Sequence, residues 1–331
     1  MGISEEFMRM VKKEIEDMIV REGLDQATTL NLDDPEFSNL IRILNREITS
    51  FVRRKTEPVK VAFLGPEGSF SHEASFSYFG SFAEYIPVKT NSDVFEEVDK
   101  GRVEFGVVAV ENSTSGSVSE TLDSFLQYDL IIYSEVMLTI HQNLMVKRGT
   151  KLEDVKRVYS HPVALEQCRR WLSVNLPNVE RIPVSSTSEG AKMLTRTEDS
   201  AAIGSVMSAK LNNLEILEER IEDGTGNMTR FLVVGKEKHE PTGRDKTSFM
   251  FSVAHEPGSL VRVLNVLVDH HINMTKLESR PYPGRRWEYV FFVDVEGHID
   301  EDRLKTAFDE MKKYCLSMKF LGSYPKSAVM R

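Results

Sequence analysis

The feature that most constrains the fold is a change of hydrophobic pattern along the chain. From residue 58 to residue 235, short apolar runs alternate with segments whose apolar residues recur at helical spacing. Residues 247–324 instead follow the order strand, helix, strand, strand, helix, strand. The first pattern is typical of an α/β domain with largely parallel sheets, and the second of a ferredoxin-like domain. We therefore predict two folded regions, joined by a linker over residues 236–245.

The first region carries six predicted strands separated by six predicted helices. Its length allows one lobe, or two lobes with a cleft between them. The strands are Val59–Leu64, Phe105–Val110, Leu130–Val146 with a break, Val155–Ser160, Ala201–Ser205 and Phe231–Gly235. The helices are Ser71–Phe79, Ser92–Lys100, Ser117–Tyr128, Pro162–Asn175, Ser188–Thr195 and Val206–Asn213.

The second region and the N-terminus contain further periodic segments. Residues 5–22 and 35–54 have apolar residues at helical spacing, and Pro35 suits the first turn of the second of these helices. Two such helices bury little surface alone, so we expect them to pack on a neighbour or on another subunit. In the second region the elements are Ser248–Ala254, Ser259–His271, Ile272–Arg280, Trp287–Glu296, Asp300–Tyr314 and Ser317–Tyr324.

Composition excludes several classes of protein. The net charge of the 331-residue chain is -9, which disfavours nucleic acid as a partner because non-specific binding to a polyanion needs a basic surface. No segment approaches the roughly 18 consecutive apolar residues of a membrane span. The two cysteines, Cys168 and Cys315, lie far apart, so a disulfide framework is not expected and a cytoplasmic location is the simplest prediction.

Four loops next to predicted strands are crowded with glycine and small polar residues. Ligands of open α/β sheets bind beyond the carboxyl ends of strands, often against helix N-termini. Serine, threonine and asparagine are also the residues that helix caps require, so each loop alone can be interpreted as a cap. Four in one domain favour a binding cleft. The loops are 65–71, 111–117, 160–168 and 227–231, and the hydroxyl cluster 185–188 also precedes a predicted helix.

Other chemistries lack their motifs. The 65–71 loop has neither the Gly-Lys-Ser/Thr ending of a P-loop nor the three-glycine dinucleotide spacing. His270 and His271 are adjacent and point to different faces of a helix, and no His-Glu-x-x-His pattern occurs. A Gly-x-Ser-x-Gly elbow is also missing. We predict no cofactor and no metal, and we interpret Cys168 as a packed thiol.

Taken in order, these loops resemble the motifs of prephenate dehydratase, and the resemblance extends from about Val59 to Tyr324. One departure is Val163, where the family commonly has glutamine after His-Pro. The resemblance implies a bilobal, periplasmic-binding-protein-like catalytic domain followed by a ferredoxin-like ACT domain, with a short N-terminal helical segment. The matching motifs are Gly65 to Ser71, Glu111-Asn112-Ser113, His161-Pro162 with Gln167-Cys168, Thr229-Arg230-Phe231, Gly258-Ser259-Leu260-Val261 and Glu278-Ser279-Arg280-Pro281.

The resemblance also implies a reaction and a set of site residues. Prephenate loses carbon dioxide and its ring hydroxyl to give phenylpyruvate, and Thr229 is implied to donate a proton or hydrogen bond to the leaving oxygen. Three further groups, Asn112, Gln167 and Ser160, are implied to be catalytic. For Arg230, substrate contact and a structural ion pair both remain open, and core packing is the favoured role of Phe231. The implied substrate-binding residues are Gly65, Ser69, Ser71, Glu111, Ser113, Thr187, Arg230 and Phe231.

The ACT-like region implies feedback by L-phenylalanine and self-association as a dimer or tetramer, because family sites of this kind lie between subunits. A turn at Pro257-Gly258 that only leads a strand into its helix is the simpler interpretation of that motif, and both can hold. The implied L-phenylalanine residues are Gly258, Ser259, Leu260, Val261, Glu278, Ser279, Arg280 and Pro281.

The predicted domains are an N-terminal helical region over residues 1–57, a catalytic domain over 58–237 and an ACT domain over 245–331. Some relatives carry an N-terminal chorismate mutase, but the short N-terminal stretch here favours a remnant or an interaction element. Two alternative functions remain at this point. One is arogenate dehydratase, which runs the same reaction on the amino analogue, and the other is a non-catalytic amino-acid sensor.

Overall fold

A computed structural model describes residues 35–53, 58–224, 226–282, 288–327 and 329–330. The described chain forms two compact units. One contains the described residues before Lys60 together with residues 76–84, and the other contains residues 60–75 and 85–331.

The smaller unit contains helix α1 (Pro35–Arg53), which confirms the predicted helix over this stretch. Two side chains of α1 accept hydrogen bonds from the backbone of the 76–84 segment. Glu47 Oε2 accepts from the Ser81 amide at 2.9 Å, and Ser50 Oγ accepts from the Phe82 amide at 3.0 Å. These bonds satisfy amides of an irregular turn. The helix predicted nearer the N-terminus lies outside the described residues.

The larger unit contains three sheets, of which the first carries most of the candidate site. Its strand order is β16, β5, β11, β3, β1, β2, with β4 paired on β3. Strand β11 runs antiparallel to both of its neighbours, whereas β1 and β3 are parallel. The strands are β1 (Lys60–Leu64), β2 (Glu84–Val88), β3 (Phe105–Asn112), β4 (Gly116–Ser117), β5 (Ile131–Thr139), β11 (Met228–Gly235) and β16 (Val329–Met330).

The second sheet lies between β5 and β11 in the sequence, so the chain leaves the first sheet, builds a second lobe and returns through β11. Its order is β10, β6, β9, β7, β8. Strand β7 is parallel to both neighbours, but β6 is antiparallel to β9 and β10. The expectation of largely parallel sheets is therefore wrong in part, because the crossings between lobes reverse strand direction. The strands are β6 (Asn143–Val146), β7 (Arg157–Ser160), β8 (Glu180–Pro183), β9 (Ser200–Gly204) and β10 (Glu215–Glu218).

Helices occupy the connections of both lobes. The helix predicted over Pro162–Asn175 is two helices that meet at Cys168, and the carboxylate of Asp223 accepts from the amides of Arg170 at 2.7 Å and Trp171 at 2.9 Å at the start of the second one. None of the described helices is long and apolar enough to cross a membrane. The helices are α2 (Phe70–Phe79), α3 (Asn91–Asp99), α4 (Ser119–Gln127), α5 (Pro162–Gln167), α6 (Arg169–Asn175), α7 (Thr187–Leu194) and α8 (Val206–Leu211).

The third sheet has the predicted βαββαβ order and is antiparallel between all paired strands, in the order β13, β14, β12, β15. One face packs on its two helices through Phe249, Phe251 and Val293. The elements are β12 (Asp245–Ser252), α9 (Ser259–Asp269), β13 (Met274–Pro281), β14 (Tyr289–Glu296), α10 (Asp302–Met311) and β15 (Ser317–Pro325).

The other face of the third sheet packs against the first lobe. Because side chains alternate along a strand, Met250 and Phe292 point away from the helices that Phe249 and Val293 contact. Both belong to the same buried cluster as Phe125 of α4. Strands β12 and β14 are thus buried on both faces, and the face of these strands that is turned away from the helices contacts the first sheet and α4.

Candidate active site

The centre of the candidate site is a pair of residues on neighbouring strands. Thr229 on β11 lies opposite Asn112, the last residue of β3. The Asn112 Nδ2 amide donates to Thr229 Oγ1 at 2.8 Å and to Asn227 Oδ1 at 2.8 Å. Since the threonine oxygen accepts this bond, its own proton is directed to a different acceptor. The hydroxyl is therefore oriented as a donor.

The loop that follows Asn112, residues 112–118, is here called the site loop. Asn112 Oδ1 accepts from the amide of Ser115 at 3.0 Å, which closes the turn. Ser113 joins the loop to the segment before β11, because its Oγ donates to the Gly226 carbonyl at 3.1 Å and accepts from the Met228 amide at 2.9 Å. Asn112 thus links the fold of the site loop to the position of the Thr229 hydroxyl.

Gln167 lines a cavity of about 410 Å³ next to this pair. Its Oε1 accepts from Gln142 Nε2 at 3.1 Å, which leaves its amide nitrogen as a donor. The volume suits a small organic ligand. The lining residues are Ser113, Thr114, Glu166, Gln167, Glu222, Asp223, Gly224, Gly226 and Asn227.

Three carboxylates also line this cavity, and all three have partners in the protein; Glu166 Oε1 lies 3.6 Å from Arg169 Nη1. Glu222 accepts from the Gln142 amide at 2.9 Å and lies 2.8 Å from His141 Nδ1, while Asp223 caps α6. Sequence reasoning missed the His141–Glu222 pair, because the two residues are 81 positions apart and neither belongs to a motif. The groups that can donate to an anionic ligand here are the neutral amides and hydroxyls.

The predicted catalytic Ser160 is fully buried at the end of β7, and its hydroxyl donates to the Ile203 carbonyl at 2.8 Å. Thr187, predicted to bind substrate, is the first residue of α7, and the preceding Ser186 caps that helix. Val163 lies at the start of α5 with 55% of its surface exposed. Ser160 therefore contributes to the geometry of the second sheet through its hydrogen bond.

Three predicted residues of the 65–71 loop have contacts inside the protein. The Ser69 hydroxyl donates to the Leu64 carbonyl at 3.0 Å, and Ser71 is buried with its carbonyl accepting from a serine one turn later. The Gly65 amide donates to the Val88 carbonyl at 2.9 Å. A Cβ at Gly65 would lie 3.0 Å from a proline side chain, so the close approach of the two strands favours glycine.

Two titratable residues on α2 follow this loop and were not predicted. His72 Nδ1 accepts from the Gly68 amide at 3.1 Å, and its ring stacks on Phe63 at 4.6 Å. Burial lowers the pKa of His72, so the ring is neutral at pH 7. Burial raises the pKa of Glu73, although the charges of His141 and Lys210 oppose this. Neither residue belonged to a recognisable motif.

Arg230 points to the opposite face of β11 from Thr229, as alternation along a strand requires. Its guanidinium is 2.6 Å from Asp294 Oδ2, 2.8 Å from Glu135 Oε2 and 3.1 Å from Glu111 Oε1, and it donates to the Tyr324 hydroxyl at 2.9 Å. The side chain is 5% exposed. Of the two roles that the sequence left open, these contacts describe a structural ion pair.

Two further residues predicted to bind substrate, Glu111 and Phe231, have partners or packing inside the protein. Glu111 bonds both Arg230 and Lys276. Burial pushes the pKa of Glu111 up, but the hydrogen bond from Lys276 and the charge of Arg230 outweigh it, so the net pKa is lowered and the carboxylate is ionised. Phe231 is 2% exposed and fills the core, which was its favoured role.

The predicted L-phenylalanine residues lie on two elements of the third sheet region. Gly258 adopts a left-handed conformation with φ 81° at the start of α9, which favours glycine, and Ser259 is buried. Leu260 packs against the core, whereas Val261 is 57% exposed. Residues 278–281 lie on β13, which is an edge strand; Glu278 and Arg280 are half-buried, and Ser279 and Pro281 are exposed.

Comparison with known proteins agrees with this arrangement. Residues 61–239 match the family model of prephenate dehydratase, and residues 247–312 match that of the ACT domain. A bifunctional chorismate mutase/prephenate dehydratase from Pseudomonas aeruginosa is 43% identical over 298 residues, which cover 90% of this chain and 80% of that protein.

Two solved structures are similar at the level of the whole fold, each with a TM-score of 0.75. Prephenate dehydratase from Arthrobacter aurescens in complex with L-Phe is 32% identical, over 82% of this chain and 92% of that one. GqqA, described as a novel type of quorum quenching acylase, is 30% identical, over 81% of this chain and 98% of that one. With the family model spanning more than half of its residues, the chain belongs to the prephenate dehydratase family and carries an ACT domain after the dehydratase region.

Proposed function

We propose that the protein converts prephenate to phenylpyruvate, water and carbon dioxide. The C–O bond to the ring hydroxyl breaks, and the electron pair of the C–carboxylate bond becomes part of the aromatic ring as carbon dioxide leaves. The departing hydroxide takes one proton to become water. Aromatisation supplies the driving force, so the protein has to bind two carboxylates and assist the leaving oxygen.

The observation that carries the proposal is the hydrogen bond from Asn112 to Thr229 Oγ1 at 2.8 Å. A threonine hydroxyl is a poor acid near neutral pH, so negative charge that develops on Oγ1 as it donates must be stabilised in place. An amide held on that oxygen by the strand register is a preorganised donor of this kind. Thr229 is therefore the proposed proton or hydrogen-bond donor, and Asn112 the group that orients and stabilises it.

Gln167 and Ser113 complete the proposed substrate contacts, since both line the cavity. Neutral donors suit the carboxylate that is lost, because a strong ion pair would stabilise the ground state more than the transition state. We assign Ser160 a positioning role, through its bond to the Ile203 carbonyl. Gly65, Ser69, Ser71 and Thr187 are proposed to shape the walls of the site.

The same geometry disfavours an acylase reaction, the activity described for GqqA. A nucleophilic threonine needs a base that accepts its proton. The partner at 2.8 Å from Thr229 Oγ1 is instead an amide that donates to it. The Thr229 hydroxyl can therefore donate its proton to a group other than Asn112, as protonation of a leaving oxygen requires.

We further propose feedback inhibition by L-phenylalanine at the ACT domain, as supported by the related dehydratase that binds it. Backbone amides at Gly258–Val261 would bind the carboxylate, and Glu278 would face the ammonium group. Calorimetry with L-phenylalanine tests this assignment directly, and absence of binding would contradict it.

Self-association and a cytoplasmic location are also proposed. The edge strand β13 carries the exposed Leu277, and α9 carries the exposed Val261 and Val268, which are apolar surfaces suited to a second copy of the chain. Cys168 and Cys315 are both free thiols, which fits a reducing compartment. Light scattering during size-exclusion chromatography would give the mass of the assembly.

The experiment that tests the proposed activity is an absorbance assay for phenylpyruvate with prephenate as substrate. Competition between prephenate and arogenate, with both products quantified, separates the two dehydratase activities. The proposal predicts the higher kcat/KM for prephenate. Binding of L-phenylalanine without turnover of either substrate would instead support the amino-acid sensor.

A further inference from the structure

Strand β13 of the ACT domain contacts the dehydratase lobe at both ends of the site loop. Lys276 bonds Glu111, the residue immediately before Asn112. Arg280 bonds Ser119 and Asp123, which lie on α4 directly after the loop. The segment that contains Asn112 and Ser113 is thus held from one strand on both sides.

The contact with α4 is geometrically specific. Arg280 Nη2 lies 2.9 Å from Asp123 Oδ2, and Nε lies 3.2 Å from Oδ1, so the guanidinium and carboxylate form a two-point pair. The Arg280 and Asp123 side chains are 21% and 33% exposed. A paired-fork geometry that is largely shielded from solvent fixes orientation better than a single exposed contact does.

The spacing of these residues connects them to the predicted L-phenylalanine motif. Lys276, Glu278 and Arg280 are two positions apart, and all three are half-buried, whereas the residues between them are exposed. They therefore share the face of β13 that is turned toward the protein. A ligand that engages Glu278 acts on the same face, between the two residues that bond the ends of the site loop.

The far end of α4 is attached to the ACT domain as well. Lys319 on β15 donates to the carbonyls of Phe125 at 3.1 Å and Tyr128 at 2.7 Å. Cations commonly bind the carbonyls at a helix C-terminus. With α4 held at both ends by the ACT sheet, a displacement of β13 relative to the first sheet changes the separation between Glu111 and Ser119, and hence the geometry of the site loop.

We propose that Lys276 and Arg280 are positioning residues that make the geometry of the site loop depend on the state of β13. Through Asn112 they act on the Thr229 hydroxyl, so occupancy of the ACT site by L-phenylalanine alters turnover by way of these two contacts. The inference rests on the proposed function and specifies how its regulation reaches the site.

The test uses substitutions that leave the 278–281 motif intact. Lys276→Met removes the contact with Glu111, and Asp123→Asn weakens the partner of Arg280; the double variant combines them. Lys312→Met and Asp309→Asn are matched controls, because they break an exposed 2.8 Å pair within the ACT domain. For each folded protein, kcat, KM, half-inhibition by L-phenylalanine and its Kd by calorimetry are measured.

The double variant is expected to bind L-phenylalanine with a Kd within about threefold of the wild-type value. Half-inhibition should nevertheless require about tenfold more L-phenylalanine, or inhibition should become incomplete, because allosteric coupling typically changes affinity about 5–150-fold. The controls and the wild type should be inhibited alike. Wild-type inhibition in the double variant would overturn the proposal, and so would loss of L-phenylalanine binding, which would place both residues in the ligand site. A wild type that is inactive or insensitive would contradict the proposed function instead.

Discussion

Replacement of Arg230 by methionine is expected to destabilise the protein by about 3 kcal/mol, at the lower end of the cost of breaking a buried ion pair by removing one partner. Methionine retains much of the apolar stem but leaves the carboxylates of the cluster without the guanidinium. Of the three carboxylates, Glu135 and Glu111 would still be paired with a lysine ammonium group. Asp294, which is 6% exposed, would retain the hydrogen bond from the Ser248 hydroxyl as its partner among the described residues. The remaining ion pairs are Lys246 with Glu135 and Lys276 with Glu111.

The assay is equilibrium urea unfolding followed by circular dichroism, with Asp294→Asn and the double variant completing a cycle. Removal of both charges leaves no uncompensated carboxylate on Asp294, so the double variant should be more stable than the sum of the single effects predicts, by about 1–3 kcal/mol. Lys312→Met, which breaks an exposed pair, serves as the control and should change the midpoint little. A loss below about 1 kcal/mol for Arg230→Met, as for a surface pair, would refute the reasoning.

Three further predictions concern single side chains. Asn112→Asp should lower kcat by a factor on the order of 10² or more, because it replaces the donor to Thr229 by an anion; phenylpyruvate absorbance measures this, and unchanged turnover would contradict it. Burial raises the pKa of Glu73 above 4.5, so the folded state binds this proton at pH values where the unfolded state has lost it. The stability of the wild type should therefore fall relative to that of Glu73→Gln as the pH rises above 4.5. Urea midpoints of the two proteins that change with pH in the same way would contradict this prediction. Burial raises the pKa of Cys315 to about 11 and raises that of Cys168 further, so iodoacetamide at neutral pH should label both thiols slowly. Mass spectrometry measures the labelling, and rapid labelling of Cys168 in the native protein would contradict the prediction.

Hydrophobic periodicity was sufficient to predict the central strands and the ACT domain order, because buried strands read as continuous apolar runs. It missed β2, β8 and β10, which are short and begin with glutamate. All three strands lie at sheet edges, and β2 and β8 each contain a proline, which edge strands tolerate and which weakens the hydrophobic pattern. Whether such a short edge segment forms a strand depends on its pairing with a neighbouring strand, which the local sequence does not reveal.

The start of β11 shows the same limit within the site. The sequence predicts a strand from Phe231, but the strand begins at Met228 and includes both Thr229 and Arg230. A charged residue fits inside this strand because its partners come from residues 64 to 119 positions away. Local patterns cannot show such long-range neutralisation, whereas the two small polar motifs that contain Asn112 and Thr229 were recognisable from their residues alone.

The most direct test of the central claim is the turnover of Thr229→Ala on prephenate, with Thr229→Ser as the matched control. The account predicts that alanine lowers kcat by a factor on the order of 10² or more, as for loss of a general acid, whereas serine retains a hydroxyl and most of the activity. Urea midpoints should show that both variants are folded. Near-normal production of phenylpyruvate by Thr229→Ala would contradict the account.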